Sequence, residues 1–440
     1  MSKLITPTYN FMQQYRIYTQ GTESDPRYHV WTALSIAGTK IGRNLYHTFG
    51  HQTLYPNLYV LLVGVPASRK STALTIGRDL ITASGYRCFA MEKTSREKFL
   101  LDFEEGFDIV TAIGNQMDKK AGLLNSLLDK PIEIDMMAML HMPANLAARG
   151  KEVYLSLSEF CDFMGQNNSN FATTLTTLYD NLPLYQERLK NSKSVNIPSP
   201  TVNLLGGLTP SHFDTHFPPE LIGQGFMSRV ILVYGKKSDK RITRPPMKNT
   251  ELEHELSLHL EKVGKLSGEM KFSAGAEIAL DKIYQEYHDI PDVRFQYYCA
   301  RRLTHLIKVS MIVSALKLQK EISIDSLTEA NTYLVGTEVD MPRALGEYGE
   351  GKYSKVSQRI IETLNTNNNV MAIPELFKAV RQDVDNMRIF EEVMRTLQTA
   401  HQIQIKNQTV MLALSEHSKN VLYVDFKKYF PEAASADELL

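Results

Sequence analysis

The chain has 440 residues, 43% of them hydrophobic, with 49 basic and 49 acidic side chains and a formal net charge of zero. That length buries a sizeable core and holds roughly two to four domains, and the even balance excludes a polybasic coat while leaving room for a local basic stripe. No apolar run approaches the ~20 residues that span a bilayer, the first residues are too polar for a secretory leader, and Cys88, Cys161 and Cys299 lack the spacing of a zinc knuckle or a disulfide framework, so a cytoplasmic protein without structural zinc is expected.

Residues 8–50 carry mixed helical periodicity (YNFMQQYRIYT, then VWTALSIAGTKIGRNL) and read as a short helical prelude. The continuous apolar run 58–63 ends at Gly64, the pattern of a strand buried on both faces of a parallel sheet. A helix is expected over 72–84, a second strand over 87–91 and a helix over 95–103, followed by a methionine-rich insertion at 108–150. A third strand, 153–157, ends at Ser158 and Glu159; beyond it come a helix over 173–179, a hairpin (LYQERL, KNSK, SVNIP) and apolar strands at 202–205 and 230–233. This alternation predicts an α/β core. Residues 251–344 read as mostly helical, and the glycine-rich stretch GEYGEGK sets off a C-terminal module.

The loop VGVPASRKST carries most of the chemistry. A phosphate-binding loop needs backbone N–H groups and a helix N-terminus converging on an anion, a lysine for charge and a hydroxyl for magnesium. Gly64, Ser68, Lys70, Ser71 and Thr72 supply these parts, but Arg69 stands where the strict G-x-x-x-x-G-K-[ST] pattern has a second glycine. Its amide is expected to serve the phosphate while its side chain points outward. A hydrolytic site also needs a carboxylate at the end of a neighbouring strand to orient water. Glu159, about ninety residues beyond Lys70, is the candidate, with Ser158 where an aspartate usually anchors the magnesium shell.

The ordered set VGVPASRKS, LSEFCDFM, GGLTP, PPELIGQGFMSRVILVY and RRLTHLIKVSMIVSA resembles the AAA+ core of minichromosome maintenance helicases. It is closer still to a little-characterised family of phage and prophage P-loop ATPases in which a YPN-strand-VG…RKST form recurs. The resemblance covers residues 50–320. It implies an AAA+ P-loop NTPase core over 51–250 after an N-terminal helical segment (1–50), then a helical lid over 251–345. It implies ATP and Mg2+ as cofactors, with Lys70 on the β- and γ-phosphates, Ser71 on the metal and Glu159 as the hydrolytic carboxylate. Thr209 matches the sensor position, with Asn203 as an alternative. Arg229 matches an arginine finger reaching a neighbour's γ-phosphate, and Arg301, first of the pair Arg301 and Arg302, matches the second sensor. A finger acting in trans implies a homo-oligomer, a hexamer by family analogy.

The hairpin lies where the helicases carry one projecting into the ring channel. Lys190 and Lys193 at its tip, with Arg188 nearby, are the candidate contacts to single-stranded or forked DNA. At the C-terminus, SKVSQRIIETLNT, IPELFKAV and NMRIFEEVMRTLQTAHQI read as three amphipathic helices followed by a hairpin with turn KNQ, a winged helix over 352–415 with a tail at 416–440. Its third helix mixes Arg388 and Arg395 with Glu391 and Glu392, so a replication partner is as natural a target as DNA. The expectation is an ATP-driven, ring-forming DNA motor, a phage-type replicative helicase in a bacterial host cytoplasm. Alternatives are an ATP-switched DNA-binding initiator, loader or transposition regulator; a packaging motor, against which no acidic nuclease cluster follows the ATPase; and a structural or adaptor ring.

Overall fold

The computed structural model describes residues 9–107, 151–166, 168–189, 194–216 and 225–346, and within 354–412 all but 368, 382, 383, 385, 386, 400–402, 407 and 408. The insertion at 108–150 and the tail from 416 therefore lie outside the described residues, as do Lys190 and Lys193. The chain divides into two compact units, one up to Gly346 and one beyond it.

The first unit is mixed α/β around a parallel sheet. In chain order its elements begin with helices α1 (Phe11–Thr19) and α2 (Pro26–Ile41), then the short strands β1 (Leu45–Phe49) and β2 (Gln52–Leu54). The sheet is built from β3 (Tyr59–Val63), β4 (Glu152–Leu157), β7 (Thr201–Leu208) and β8 (Val230–Tyr234), in the order β4-β7-β3-β8 with every neighbouring pair parallel. All of β3 and β7 is buried, as continuous apolar runs require when helices cover both faces. Connecting helices are α3 (Lys70–Ala83), α4 (Arg96–Glu105), α5 (Phe160–Met164), α6 (Ser169–Tyr179) and α7 (Ser211–His216). Beyond β8 lie α8 (Thr250–Lys265), α9 (Ala274–Glu286), α10 (Gln296–Leu316), α11 (Ile324–Glu338) and α12 (Met341–Leu345).

Two sequence expectations are corrected. The strand expected over 87–91 does not form: Phe89 makes one isolated bridge to Tyr154, with the Tyr154 N–H donating to Cys88 O at 2.8 Å. Two turn-breaking residues upstream, Ser84 and Gly85, leave too short an apolar run to sustain a ladder. The expected helical prelude forms as α1 and α2, and α2 lies at the centre of the unit. In α2 nearly every side chain is buried, because its small residues let it pack against the sheet, α3, α8 and α10 at once. Trp31, the single tryptophan, is fully buried and donates to Thr337 Oγ1 at 2.7 Å. The carboxylate strand is also not adjacent to the loop strand, since β7 lies between β3 and β4.

The expected hairpin forms from β5 (Leu184–Arg188) and β6 (Ser194–Pro198), with Arg188 opposite Ser194 at its far end. Its base is anchored rather than free: Val195 and Ile197 are fully buried, Arg96 of α4 pairs with Glu187, and the Asn196 N–H donates to Glu104 at 2.8 Å.

The second unit contains α13 (Ser354–Thr366), α14 (Ile373–Val380) and α15 (Met387–Thr399) with strands Val370–Ala372, Ile403–Lys406 and Thr409–Leu412. Val356, Ile360 and Leu364 recur at every fourth position of α13 and meet Leu376, Phe390, Val393 and Leu397 in one core. The three strands form an antiparallel sheet with Thr409–Leu412 in the middle. Sequence periodicity misses the first of them because it is only three residues long.

Candidate functional site

At the C-terminal end of β3 the Gly64 N–H donates to Leu208 O at 3.2 Å, and the chain then turns into the loop. A Cβ on Gly64 would lie 2.2 Å from Tyr28 Oη and 2.8 Å from Ser68 Oγ, so glycine is required for space. Tyr28 holds the turn from α2, donating to Val63 O at 2.8 Å. Arg69 takes φ +60° and ψ +29°, the left-handed conformation that glycine adopts freely. An ordinary side chain there costs roughly 1 kcal/mol. Two contacts offset that cost: the Arg69 guanidinium donates to Glu23 Oε2 at 2.9 Å, and Ser24 Oγ donates to the Arg69 carbonyl at 2.8 Å. The other oxygen of Glu23 accepts the Ile242 N–H at 2.8 Å, so one carboxylate ties the loop to the segment after β8. That N–H, and after it Arg69, hold the Glu23 carboxyl below the ordinary carboxylate range. Arg69 thus supplies the turn with its backbone and turns its side chain outward.

Lys70 opens α3. Its ammonium folds over the loop, donating to Gly64 O at 2.7 Å and lying 3.3 Å from both Val65 O and Ser68 Oγ. Burial pushes its pKa down, with Glu159 opposing the shift. Glu159 is exposed, two residues past the end of β4 at the first position before α5, with no side-chain bond to that helix. Strand spacing puts it about 10 Å to the side of β3, room for a phosphate and a water. The pairing of β7 with β4 is close enough that a Cβ on Gly207 would fall 2.4 Å from Ser158 O, which explains the GG of GGLTP. Residues 66–72, Glu159, Thr209, Ser211 and His212 line one cleft of about 480 Å³. A second cavity of about 430 Å³ shares Ala67 and Arg69 with it and is lined by Glu23 and residues 237–241.

The structure therefore brings Ser68, Arg69, Lys70, Ser71, Thr72, Glu159 and Thr209 together, with Gly64 at the base of the loop. Asn203 is elsewhere: it is buried at the opposite end of β7, where its Oδ1 accepts the Leu58 N–H at 3.0 Å. Arg229 lies immediately before β8, at the N-terminal end of the strands, roughly 20 Å along the sheet from the loop. Its Nε and Nη2 donate to the two oxygens of Asp180 at 3.1 and 2.5 Å. Arg301 has its Nη1 3.8 Å from Asp180, whereas Arg302 turns inward to Glu338 at 3.0 Å and to Asn331. The adjacent arginines are thus distinguished: Arg301 joins Arg229, and Arg302 is a buried clasp of the helices. Ser211, His212, Glu23 and Ser24 were missed by sequence reasoning. The TPSHF that follows the sheet strand was the available signal for His212, while Glu23 is linked to the loop only through space.

The donor set fits a nucleotide phosphate, with a helix N-terminus, a lysine and two hydroxyls at one loop. For Mg2+, Ser71 and Glu159 offer hard oxygen donors on one cleft. Among the described residues no group of three metal-ligating side chains occurs, so such an ion would draw most of its ligands from phosphate and water. No described helix is long and apolar enough to cross a membrane. No family model matches the chain, and no curated protein matches it.

Proposed function

We propose that the first unit is an ATPase and that the protein is an ATP-driven motor on DNA, a ring-forming helicase of AAA+ type. The observation that carries this reading is the single cleft shared by Lys70, Ser71, Glu159 and Thr209. In it Lys70 exchanges its loop carbonyls for β- and γ-phosphate oxygens, and the amides at the start of α3 bind the same anion. Glu159 orients the attacking water, and Thr209 holds that water or the γ-phosphate from the other side. Ser71, with Glu159 nearby, would hold a Mg2+ ion, which would supply charge neutralisation of the phosphates. The second cavity, continuous with the loop through Ala67 and Arg69, takes the nucleoside end. Arg229 and Arg301, remote from their own loop, act on the nucleotide of a neighbouring subunit, which calls for a ring. Arg188, Lys190 and Lys193 grip the strand backbone, and the second unit, read as a winged helix, binds DNA or a replication partner.

One observation favours the alternative of an ATP-switched DNA-binding protein: Ser158 stands beside Glu159 in place of the acid that would complete the metal shell, which suits slow turnover. Strand displacement on a forked substrate separates the two. The motor reading expects unwinding that needs ATP and is lost in Lys70→Ala. ATP-dependent DNA binding without displacement would favour the switch.

A further inference from the structure

The lower end of the sheet holds more positive charge than it neutralises. Arg229, Arg301 and Lys308 surround one carboxylate, Asp180, the residue that ends α6. Lys308 lies behind, fully buried, donating to Asn57 Oδ1 at 2.7 Å with its ammonium 3.8 Å from the centre of the Tyr179 ring. Among the described residues Asp180 is the one carboxylate within ion-pair distance of Arg229 or Arg301. Its side chain is also the most open of the three, 42% exposed against 36% for Arg301 and 8% for Arg229. The two-pronged geometry between Arg229 and Asp180 is the one a guanidinium uses equally for carboxylate and for phosphate. Tyr297, one helical turn before Arg301 on α10, and Val293, in the short 3-10 turn that precedes that helix, stand 46% and 77% exposed and give the helix start an apolar rim.

We propose that Asp180 fills, from within the subunit, an oxyanion site formed by Arg229 and Arg301, and that the terminal phosphate of a nucleotide held by a second copy of this chain displaces it. This rests on the reading of Arg229 as a group acting in trans. Asp180 is then a positioning residue that competes with the phosphate: it keeps the guanidinium of Arg229 aligned but occupied until a neighbour docks against the Val293 and Tyr297 rim. Removing the carboxylate leaves the cations in place and removes the competitor.

The test compares full-length wild type, Asp180→Asn, Asp180→Glu, Arg229→Ala and the Asp180→Asn/Arg229→Ala double variant. ATP turnover per subunit is measured across a range of protein concentration, with thermal melting as the check on folding. Loss of a partly exposed ion pair of this kind should raise turnover at low protein concentration roughly five-fold in Asp180→Asn. The gain should vanish in the Arg229→Ala background, and Asp180→Glu should stay near wild type. A folded Asp180→Asn that turns over like wild type, falls to the level of Arg229→Ala, or gains equally without Arg229 overturns the proposal. Should Asp180→Asn fail to fold, Asp180→Ser is read by the same criteria. Binding of a fluorescent ATP analogue, lost in Lys70→Ala, tells this failure apart from failure of the nucleotide reading itself: if wild type shows no Lys70-dependent binding, it is the ATPase reading that falls, and the phosphate assignment with it.

Discussion

The two ends of one parallel sheet carry polar groups in opposite ways. At the C-terminal end Ser71, Glu159 and the Arg69 side chain are exposed around a cleft, and among the described residues Lys70 donates to carbonyls and a hydroxyl of its own loop. At the N-terminal end a buried polar cluster gathers around Asn57. The fully buried Asn57 donates to Tyr179 O at 3.0 Å and accepts from Lys308 and Asn181, each at 2.7 Å. Its neighbour Leu58 is fixed by Asn203. Burial lowers the Lys308 pKa well below the ordinary lysine range, with Asp180 opposing. A buried amide cluster at Asn57 thus ties together the segments where the strands enter, while the loops where they leave line a cleft.

The largest effect that would break this contrast is structural. Asn57→Ala removes a buried amide with four partner residues and takes from Lys308 its 2.7 Å acceptor, so chemical denaturation should register a loss of about 3 kcal/mol. ATP affinity per folded molecule should hold. Unchanged stability would mean that the lower end is not the clasp described.

A smaller, pH-dependent effect sharpens the comparison through two of the buried histidines, His29 beside the loop side and His305 at the other end. Burial pushes His29, which lies 2.7 Å from Thr22 Oγ1, down to about 4, with Asp25 opposing. Burial likewise pushes His305, bonded to Ser228 O at 3.0 Å, down to about 3. Both folded values lie below the ordinary 6.5, so at mildly acidic pH the unfolded chain binds the extra protons. The stability from keeping each ring neutral is complete above about pH 6.5 and is lost as pH falls toward the folded values, at up to about 1.4 kcal/mol per pH unit for each histidine. Denaturation curves between pH 7.5 and 5 should give this slope, with His259, also lowered by burial, adding in the same direction, and His305→Gln should remove its own share. A slope that His305→Gln leaves intact would locate the proton uptake elsewhere.

The smallest effect concerns the loop. Arg69→Gly relieves the left-handed strain but loses an exposed ion pair with Glu23, so net stability should change by less than about 1 kcal/mol. A larger loss would make the Glu23 tether the main support of the loop.

What the sequence disclosed follows from these contrasts. The run 58–63 was legible because a strand buried on both faces is apolar at every position, and the hairpin because its alternation is local. Lys70, Ser71 and Glu159 could be found because each sits at the edge of such a run. The central place of α2 was not legible: a helix buried all round shows little amphipathic contrast. Nor was the role of Asp180, whose partners Arg229 and Arg301 are 49 and 121 positions away. The strand expected over 87–91 failed for the converse reason, since its composition suits a strand but among the described residues its one pairing is a single bridge to Tyr154.

The central claim is that Glu159 and Lys70 share one nucleotide cleft in different roles, and Glu159→Gln tests it most directly. Nucleotide binding and single-turnover hydrolysis of ATP are measured on the same preparation. The account predicts affinity for ATP near that of wild type, because the phosphates are held by the loop and Lys70, with hydrolysis slowed by about 10² or more because the water loses its orienting base. Hydrolysis at the wild-type rate in folded Glu159→Gln would contradict it.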